Sequence, residues 1–190
     1  MMKKIFSIMI TTLLMLSFLS VPNQVLGAPN SIPCNPKTTK LKLEQRKLWV
    51  LQRLLQNQTD IGNSIKPFYG EKAGNQLTKL LKEHIVLAGQ VVDAAKSGNQ
   101  QALNKYNKLW YKNADDIAAF LSKANPNWSY EQLKDMLHKH LGFVTEEAVA
   151  RLKKDWKANI AAFDKGENHM LMLADLLANG IIKQFPQKFK

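Results

Sequence analysis

The chain has 190 residues, a formal net charge of +12 and a single cysteine, which excludes an intramolecular disulfide and a metal or haem site built from cysteines. Of the 27 basic residues only Arg46, Arg53 and Arg151 are arginines, whereas recognition of phosphates and bases relies on the bidentate arginine fork. The composition therefore argues against specific nucleic-acid binding, and the dispersed lysines indicate a solvated surface that weakly attracts polyanions.

The N-terminus has the layout of a secretory signal peptide. Lys3 and Lys4 precede an uncharged apolar stretch over residues 5–19, and a polar region then ends at Gly27. The apolar stretch is shorter than the roughly 20 residues that span a bilayer. We therefore expect cleavage after Gly27, secretion to the extracellular cell envelope, and no transmembrane segment in the mature chain. A flexible leader over residues 28–38, which contains Cys34, would precede one helical domain over 39–190.

From Thr39 onward the apolar periodicity is helical, and no alternating run is long enough for a strand. Pro67, Gly98, Pro126 and Gly142 mark the predicted joints, and Gly166 is a potential break in the last helix. Such short connections make sequential helices antiparallel neighbours. The predicted fold is all-α, an up-and-down bundle of four long helices plus one short helix. The predicted helices cover residues 39–65, 74–97, 101–124, 129–142 and 145–180.

Apolar residues at three-to-four spacing predict the buried face of each helix. The last helix contributes a stripe that begins with Val149, Leu152, Trp156, Ile160 and Phe163. We interpret such aromatic and aliphatic stripes as core rather than as the lining of a cofactor site.

Three stripes are each interrupted by a polar residue, namely His84, Asn113 and His140. Residues equidistant from a tight joint pair across antiparallel helices, because each residue adds about 1.5 Å of rise. Counting outward from the joints places these three residues at one level of the bundle. The same count adds Asn57, Asp60 and Asp116.

A buried polar layer of this kind has two interpretations. In the first, Asn57 and Asn113 satisfy the imidazoles in a hydrogen-bonded network that sets the helix register. In the second, a transition metal ion or a small organic ligand is bound. The residues available for such a site are His84, His140, Asp60, Asp116 and Glu147. His169 is either a further buried histidine or solvated.

No motif of a familiar enzyme class is present in the sequence. It contains no Glu-x-x-His pair of the di-iron bundles, no H-E-x-x-H, no G-x-S-x-G, no G-x-G-x-x-G and no Walker loop. The absence of these motifs favours a non-enzymatic protein.

Five stretches resemble a family of uncharacterised small secreted proteins of Gram-positive bacteria, and the resemblance runs from about Leu54 to the end. They are "NQTDIGNSIKPFYG", "LLKEHI", "NADDIAAFLSKANPNW", "MLHKHL" and "QFPQKF". Members of that family are sometimes labelled glycosyltransferases. This sequence has neither a D-x-D motif nor an α/β pattern, so we do not carry that activity over. The resemblance implies secretion and no particular catalytic residue.

The leading functional hypothesis is a secreted, non-enzymatic helical bundle with a binding or accessory role at the cell envelope. One alternative is a metal-binding bundle of ferritin-like, storage or redox type. A further alternative is a binder of an anionic wall polymer or membrane surface.

Overall fold

The computed structural model describes the backbone from Pro36 to Lys190 and the side chains of Thr39 and residues 51–190. The predicted signal peptide, Cys34 and most of the predicted leader lie outside the described residues. The chain divides into two compact units, Met1–Asn57 and Gln58–Lys190. The helical bundle considered below is the second unit.

The described part of the chain is helical and contains no strand, which confirms the predicted all-α bundle. None of the described helices has an apolar stretch long enough to cross a membrane. The elements are α1 (Pro36–Lys96), α2 (Gln100–Ala124), α3 (Tyr130–Leu152), α4 (Trp156–Gln184) and a 3₁₀ turn (Pro186–Phe189).

Helix α1 is two helical arms joined at Gly70. Gly70 has φ 83° and ψ 170°, a backbone region that is nearly restricted to glycine. The first arm continues through Pro67, so the predicted end at residue 65 and the predicted restart at residue 74 are wrong. Pro67 is tolerated because it lies in the last turn before Gly70, where its missing N–H costs a single helical hydrogen bond. The turn between the arms is one residue long.

Hydrogen bonds and a ring contact connect this turn to two distant parts of the chain. The Tyr69 hydroxyl donates to Gln184 Oε1 at 2.8 Å and accepts from Asn125 Nδ2 at 2.9 Å. The Phe68 ring lies 5.7 Å from the Phe185 ring, centroid to centroid. The α1 turn, the α2–α3 joint and the C-terminus therefore meet at one end of the bundle.

The boundary between α3 and α4 differs from the prediction. Helix α3 does not stop at Gly142, and no new helix begins at Thr145. The Thr145 hydroxyl donates back to the Leu141 carbonyl at 2.8 Å, so it occupies a helix interior rather than a cap. Gly166, the potential break, lies inside α4. The short predicted helix is therefore part of a longer helix that ends at Leu152.

The α3–α4 joint is a Schellman turn with a lysine in the left-handed position. Lys154 has φ 60°. Its N–H donates to Arg151 O at 3.0 Å, and the Asp155 N–H donates to Ala150 O at 2.9 Å. The same pattern closes the second arm of α1, where Gly98 has φ 67°. Glycine adopts this conformation freely, whereas lysine is strained in it.

Because the helix breaks after Leu152, the predicted core stripe across residues 149–160 is wrong. The exposed fractions are 42% for Val149, 46% for Leu152, 49% for Trp156 and 59% for Ile160. The two segments belong to different helices, so they do not share the common helical phase that the stripe assumes. The residues that α4 buries are instead mostly small or lie in its second half. These include Ala162, Leu173 and Ala174.

The two Schellman turns make a matched test of backbone strain. Lys154→Gly should stabilise the protein by about 0.5 to 1 kcal/mol, because glycine removes the left-handed penalty. Gly98→Ala should destabilise it by about 1 kcal/mol, since a Cβ there meets no atom within 4 Å and only the backbone is affected. Urea unfolding of both variants measures the two effects. Changes of the same sign would contradict this account of the α3–α4 joint.

Candidate functional site

His84 lies on the second arm of α1, and both of its ring nitrogens are engaged. The Trp110 indole N–H donates to His84 Nε2 at 3.1 Å, and His84 Nδ1 lies 2.7 Å from Asn113 Oδ1. The Asn113 amide donates in turn to the carbonyl of Leu80 at 3.2 Å. His84, Trp110 and Asn113 are all buried. A continuous chain of hydrogen bonds therefore links α2 to α1.

The hydrogen-bond partners of His84 determine which of its ring nitrogens carries a proton. An indole nitrogen can only donate, so Nε2 must be the unprotonated acceptor. Nδ1 then carries the proton and donates to Asn113 Oδ1. Burial lowers the pKa of His84, and the Asn113 hydrogen bond opposes that shift. His84 is a neutral, fully bonded imidazole at neutral pH.

His140 of α3 stacks beside His84. The ring centroids are 6.3 Å apart and the ring planes differ by 24°. His140 Nδ1 is buried and has no hydrogen-bond partner among the described residues. Burial, reinforced by the neighbouring His84 and then His169, lowers the pKa of His140 to about 3. His140 is thus held neutral chiefly by its burial.

His169 of α4 completes the group and is half-buried, which lies between the buried and the solvated alternatives of the sequence analysis. Its Nε2 donates to the Met136 carbonyl at 2.7 Å, and its ring packs edge-on against Phe143 at 5.5 Å. A histidine from α1, one from α3 and one from α4 therefore lie in one region of the bundle. We call His84, Trp110, Asn113, His140 and His169 the imidazole layer.

The structure separates the predicted site residues into two groups. His84, Asn113 and His140 come together as the sequence predicts. Asp116 is exposed and pairs with Lys112 at 2.6 Å, and Asp60 is also exposed, so neither is a buried member of the layer. Asn57 is buried but belongs to the first unit.

Sequence reasoning missed Trp110 as a member of the layer, because its position in the stripe of α2 assigned it to the apolar core. The available signal was its indole N–H, which needs an acceptor when it is buried. A polar residue at stripe spacing on a neighbouring helix is the natural acceptor.

Glu147 is buried on α3, at 7% exposure. Burial raises the pKa of its carboxyl group to about 7, and the positive charge of Arg151 opposes the shift. Its backbone carbonyl accepts from Asn159 Nδ2 at 3.0 Å, which ties α3 to α4 across their joint. Glu147 is therefore a buried titratable group in addition to His84 and His140, and it titrates near neutral pH.

The donor set of the layer suits a hydrogen-bonded network better than a metal site. Among the described residues, no group of three or more His, Cys, Asp or Glu side chains is arranged to hold a metal ion. A metal on His84 would also have to displace either Trp110 or Asn113. His140 Nδ1 is the buried imidazole nitrogen that remains available for a ligand.

Acid should destabilise the bundle through the imidazole layer. His140 keeps a neutral ring in the folded state down to about pH 3, whereas in the unfolded chain it binds a proton below about pH 6.5. The unfolded state therefore binds more protons between those values, and stability falls as pH drops through that window. His140→Phe should remove about 1 to 2 kcal/mol of the loss between pH 7.5 and pH 5. Urea unfolding at both pH values measures this, and equal losses in wild type and variant would contradict it.

Glu147 should have the opposite pH dependence. Its folded-state pKa is raised from 4.5 to about 7, so the folded state binds more protons in that window and stability falls as pH rises through it. Glu147→Gln should stabilise the protein by about 1 to 3 kcal/mol at pH 8 and have little effect at pH 5. The exposed neighbour provides the control, since Glu146→Gln should leave the melting temperature nearly unchanged at both pH values. A melting temperature of Glu147→Gln at or below that of wild type at pH 8 would show that the carboxylate is not penalised by burial.

Comparison with known proteins finds no matching family model, no similar curated protein and no similar solved structure.

Proposed function

We propose that the chain is a secreted, non-enzymatic helical bundle that acts at the cell envelope as a binding or accessory protein. The observation that carries the proposal is the exposure of Val149, Leu152, Trp156 and Ile160 around the α3–α4 joint. Large apolar side chains clustered within a few turns on a protein surface mark a site for a partner. The signal-peptide pattern of the N-terminus supports the location.

The imidazole layer has a structural role in this proposal. The ring nitrogens of His84 and the amide group of Asn113 are engaged in bonds between helices. An imidazole that serves as a general base or nucleophile needs a free nitrogen directed at a substrate. The layer aligns α1 with α2, and binding takes place at the surface.

The location is tested by expressing the full chain in a Gram-positive host and measuring the mass of the mature protein. The proposal expects a protein that starts at Ala28 and is recovered from the medium or the cell-envelope fraction. An uncleaved chain retained in the cytoplasm would overturn the proposal.

The metal-binding bundle is the second candidate, and the unpartnered Nδ1 of His140 is the observation that favours it. Metal analysis of the protein purified without an affinity tag separates the two. Less than about a tenth of an equivalent of any transition metal supports a non-metal bundle. A stoichiometric metal that is lost in His140→Phe would support the alternative.

His84→Ala gives an independent test of the structural role. The substitution leaves the Trp110 N–H and the Asn113 oxygen without partners, so the metal-free protein should lose about 2 to 4 kcal/mol. The exposed neighbour serves as control, and Glu83→Ala should change stability little. If His84 were chiefly a ligand, the loss would appear only when metal is added, because a ligand stabilises the folded state by mass action. Melting curves with chelator and with added zinc, copper or iron distinguish the two results.

A further inference from the structure

The surface around the α3–α4 joint combines apolar side chains with lysines. Its apolar part is Val149, Leu152, Trp156 and Ile160, and its basic part is Lys153, Lys154 and Lys157. We call these seven residues the joint surface. All seven are exposed, and they lie within twelve consecutive positions, 149–160, that span the end of α3 and the start of α4.

The lysines of the joint surface have no acidic partner within the described part of the chain. The one carboxylate inside this segment is Asp155, and its Oδ1 accepts the Ala158 N–H at 3.0 Å as the N-cap of α4. Glu147 precedes the segment and is buried. Elsewhere on the bundle lysines do pair, as Lys112 does with Asp116 and Lys139 with Asp135. Basic residues therefore outnumber acidic ones in this segment, and none of the three lysines forms an ion pair within the described part of the chain.

The backbone at Lys154 gives a second, independent indication of function. Its left-handed conformation is the one that glycine adopts in the equivalent turn at Gly98. A strained residue that persists at an exposed turn points to a function of its side chain. In the sequence Lys154 lies between the exposed apolar residues of α3 and those of α4.

The position of Trp156 is the third indication that this surface has a function. It is the first residue of α4 and is half exposed, and the Arg151 guanidinium lies 5.5 Å from the centre of its ring. Tryptophan and basic residues concentrate where a protein meets the interface of a bilayer, because the ring is amphipathic and the cations reach the lipid headgroups.

We propose that the joint surface docks on an anionic phospholipid bilayer, with the apolar side chains inserted between headgroups and the lysines on lipid phosphates. This inference deepens the proposed function and rests on it. A hydrophilic wall polymer offers phosphate charge but no environment for Leu152, Trp156 and Ile160. A bilayer interface offers both, and docking of this kind needs no membrane-spanning helix.

The experiment is co-sedimentation of the full chain with phosphatidylcholine vesicles, with and without phosphatidylglycerol. Binding should be at least about tenfold tighter to the anionic vesicles and should weaken as salt rises, since salt screens the attraction between the lysines and the lipid headgroups. The tryptophan emission should shift to the blue on binding, and Trp156→Leu should abolish most of that shift.

Two variants separate charge from insertion. Lys153→Gln/Lys154→Gln/Lys157→Gln should weaken binding to anionic vesicles by at least about tenfold. Leu152→Ser/Ile160→Ser should weaken it several-fold, an effect that persists at low salt because insertion is not screened. Circular dichroism of each variant should match that of wild type, since all five positions are exposed.

Matched controls alter the same number of exposed side chains elsewhere in the bundle. They are Lys105→Gln/Lys108→Gln/Lys123→Gln for charge and Val86→Ser/Leu109→Ser for apolar exposure. Both should bind vesicles as wild type does.

Three outcomes would overturn the inference. Equal losses in joint-surface and control variants would show that binding depends on net charge alone. Tight binding to purified teichoic polymer that is unaffected by Leu152→Ser/Ile160→Ser, with none to vesicles, would make the polymer the partner. A dimer in sedimentation velocity that Leu152→Ser/Ile160→Ser dissociates would show that a second copy covers the surface. A cleaved protein found at the envelope that does not bind vesicles leaves the proposed function standing, so the two failures are distinguishable.

Discussion

The hydrogen bond from the Trp110 indole to His84 is the interaction on which the centre of the bundle depends. Because the indole can only donate, it sets the tautomer of His84, which then determines the orientation of the Asn113 amide and its bond to Leu80. Each donor in the series is matched to one acceptor. Protonation of His84 Nε2 would place two donors face to face and break the first link. These hydrogen bonds therefore fix the orientation of the side chains and the protonation state of His84 together.

His140 is a second neutral imidazole in the layer, because burial opposes its protonation. His140 lies 6.3 Å from His84, its Nδ1 has no hydrogen-bond partner among the described residues, and burial is the main cause of its lowered pKa. A second neutral imidazole is compatible with the first, whereas an imidazolium would face uncompensated burial. Glu147 is the counterpart on the same helix, a carboxyl that burial also drives toward its neutral form. Burial thus opposes the charged form of an imidazole and of a carboxyl group on the same helix.

The height of the imidazole layer is predictable from the sequence because the rise per residue of a helix is constant. Counting residues from the joints gives the height of a residue along its helix but not the direction in which its side chain faces around the helix axis. Asp116 follows Asn113 by three residues, which rotates it by about 60° toward solvent, whereas Ile117, one residue further, stays buried. The α3–α4 boundary is less predictable, since Gly142 and Thr145 have the usual residue types of a stop and a start. The real break has lysine in the left-handed position, and no propensity rule anticipates that residue there.

The one-residue turn at Gly70 also bears on how the chain could assemble. Gly70 is the only non-helical residue between Pro36 and Lys96, so a change of two backbone angles would merge both arms into one continuous rod. The residues that hold Tyr69 would then have to be supplied by another molecule. Short hinges of this kind are the usual origin of domain-swapped dimers. The hydrogen bonds of Tyr69 to Gln184 and Asn125 hold the turn at Gly70 closed within one chain and so oppose such an exchange.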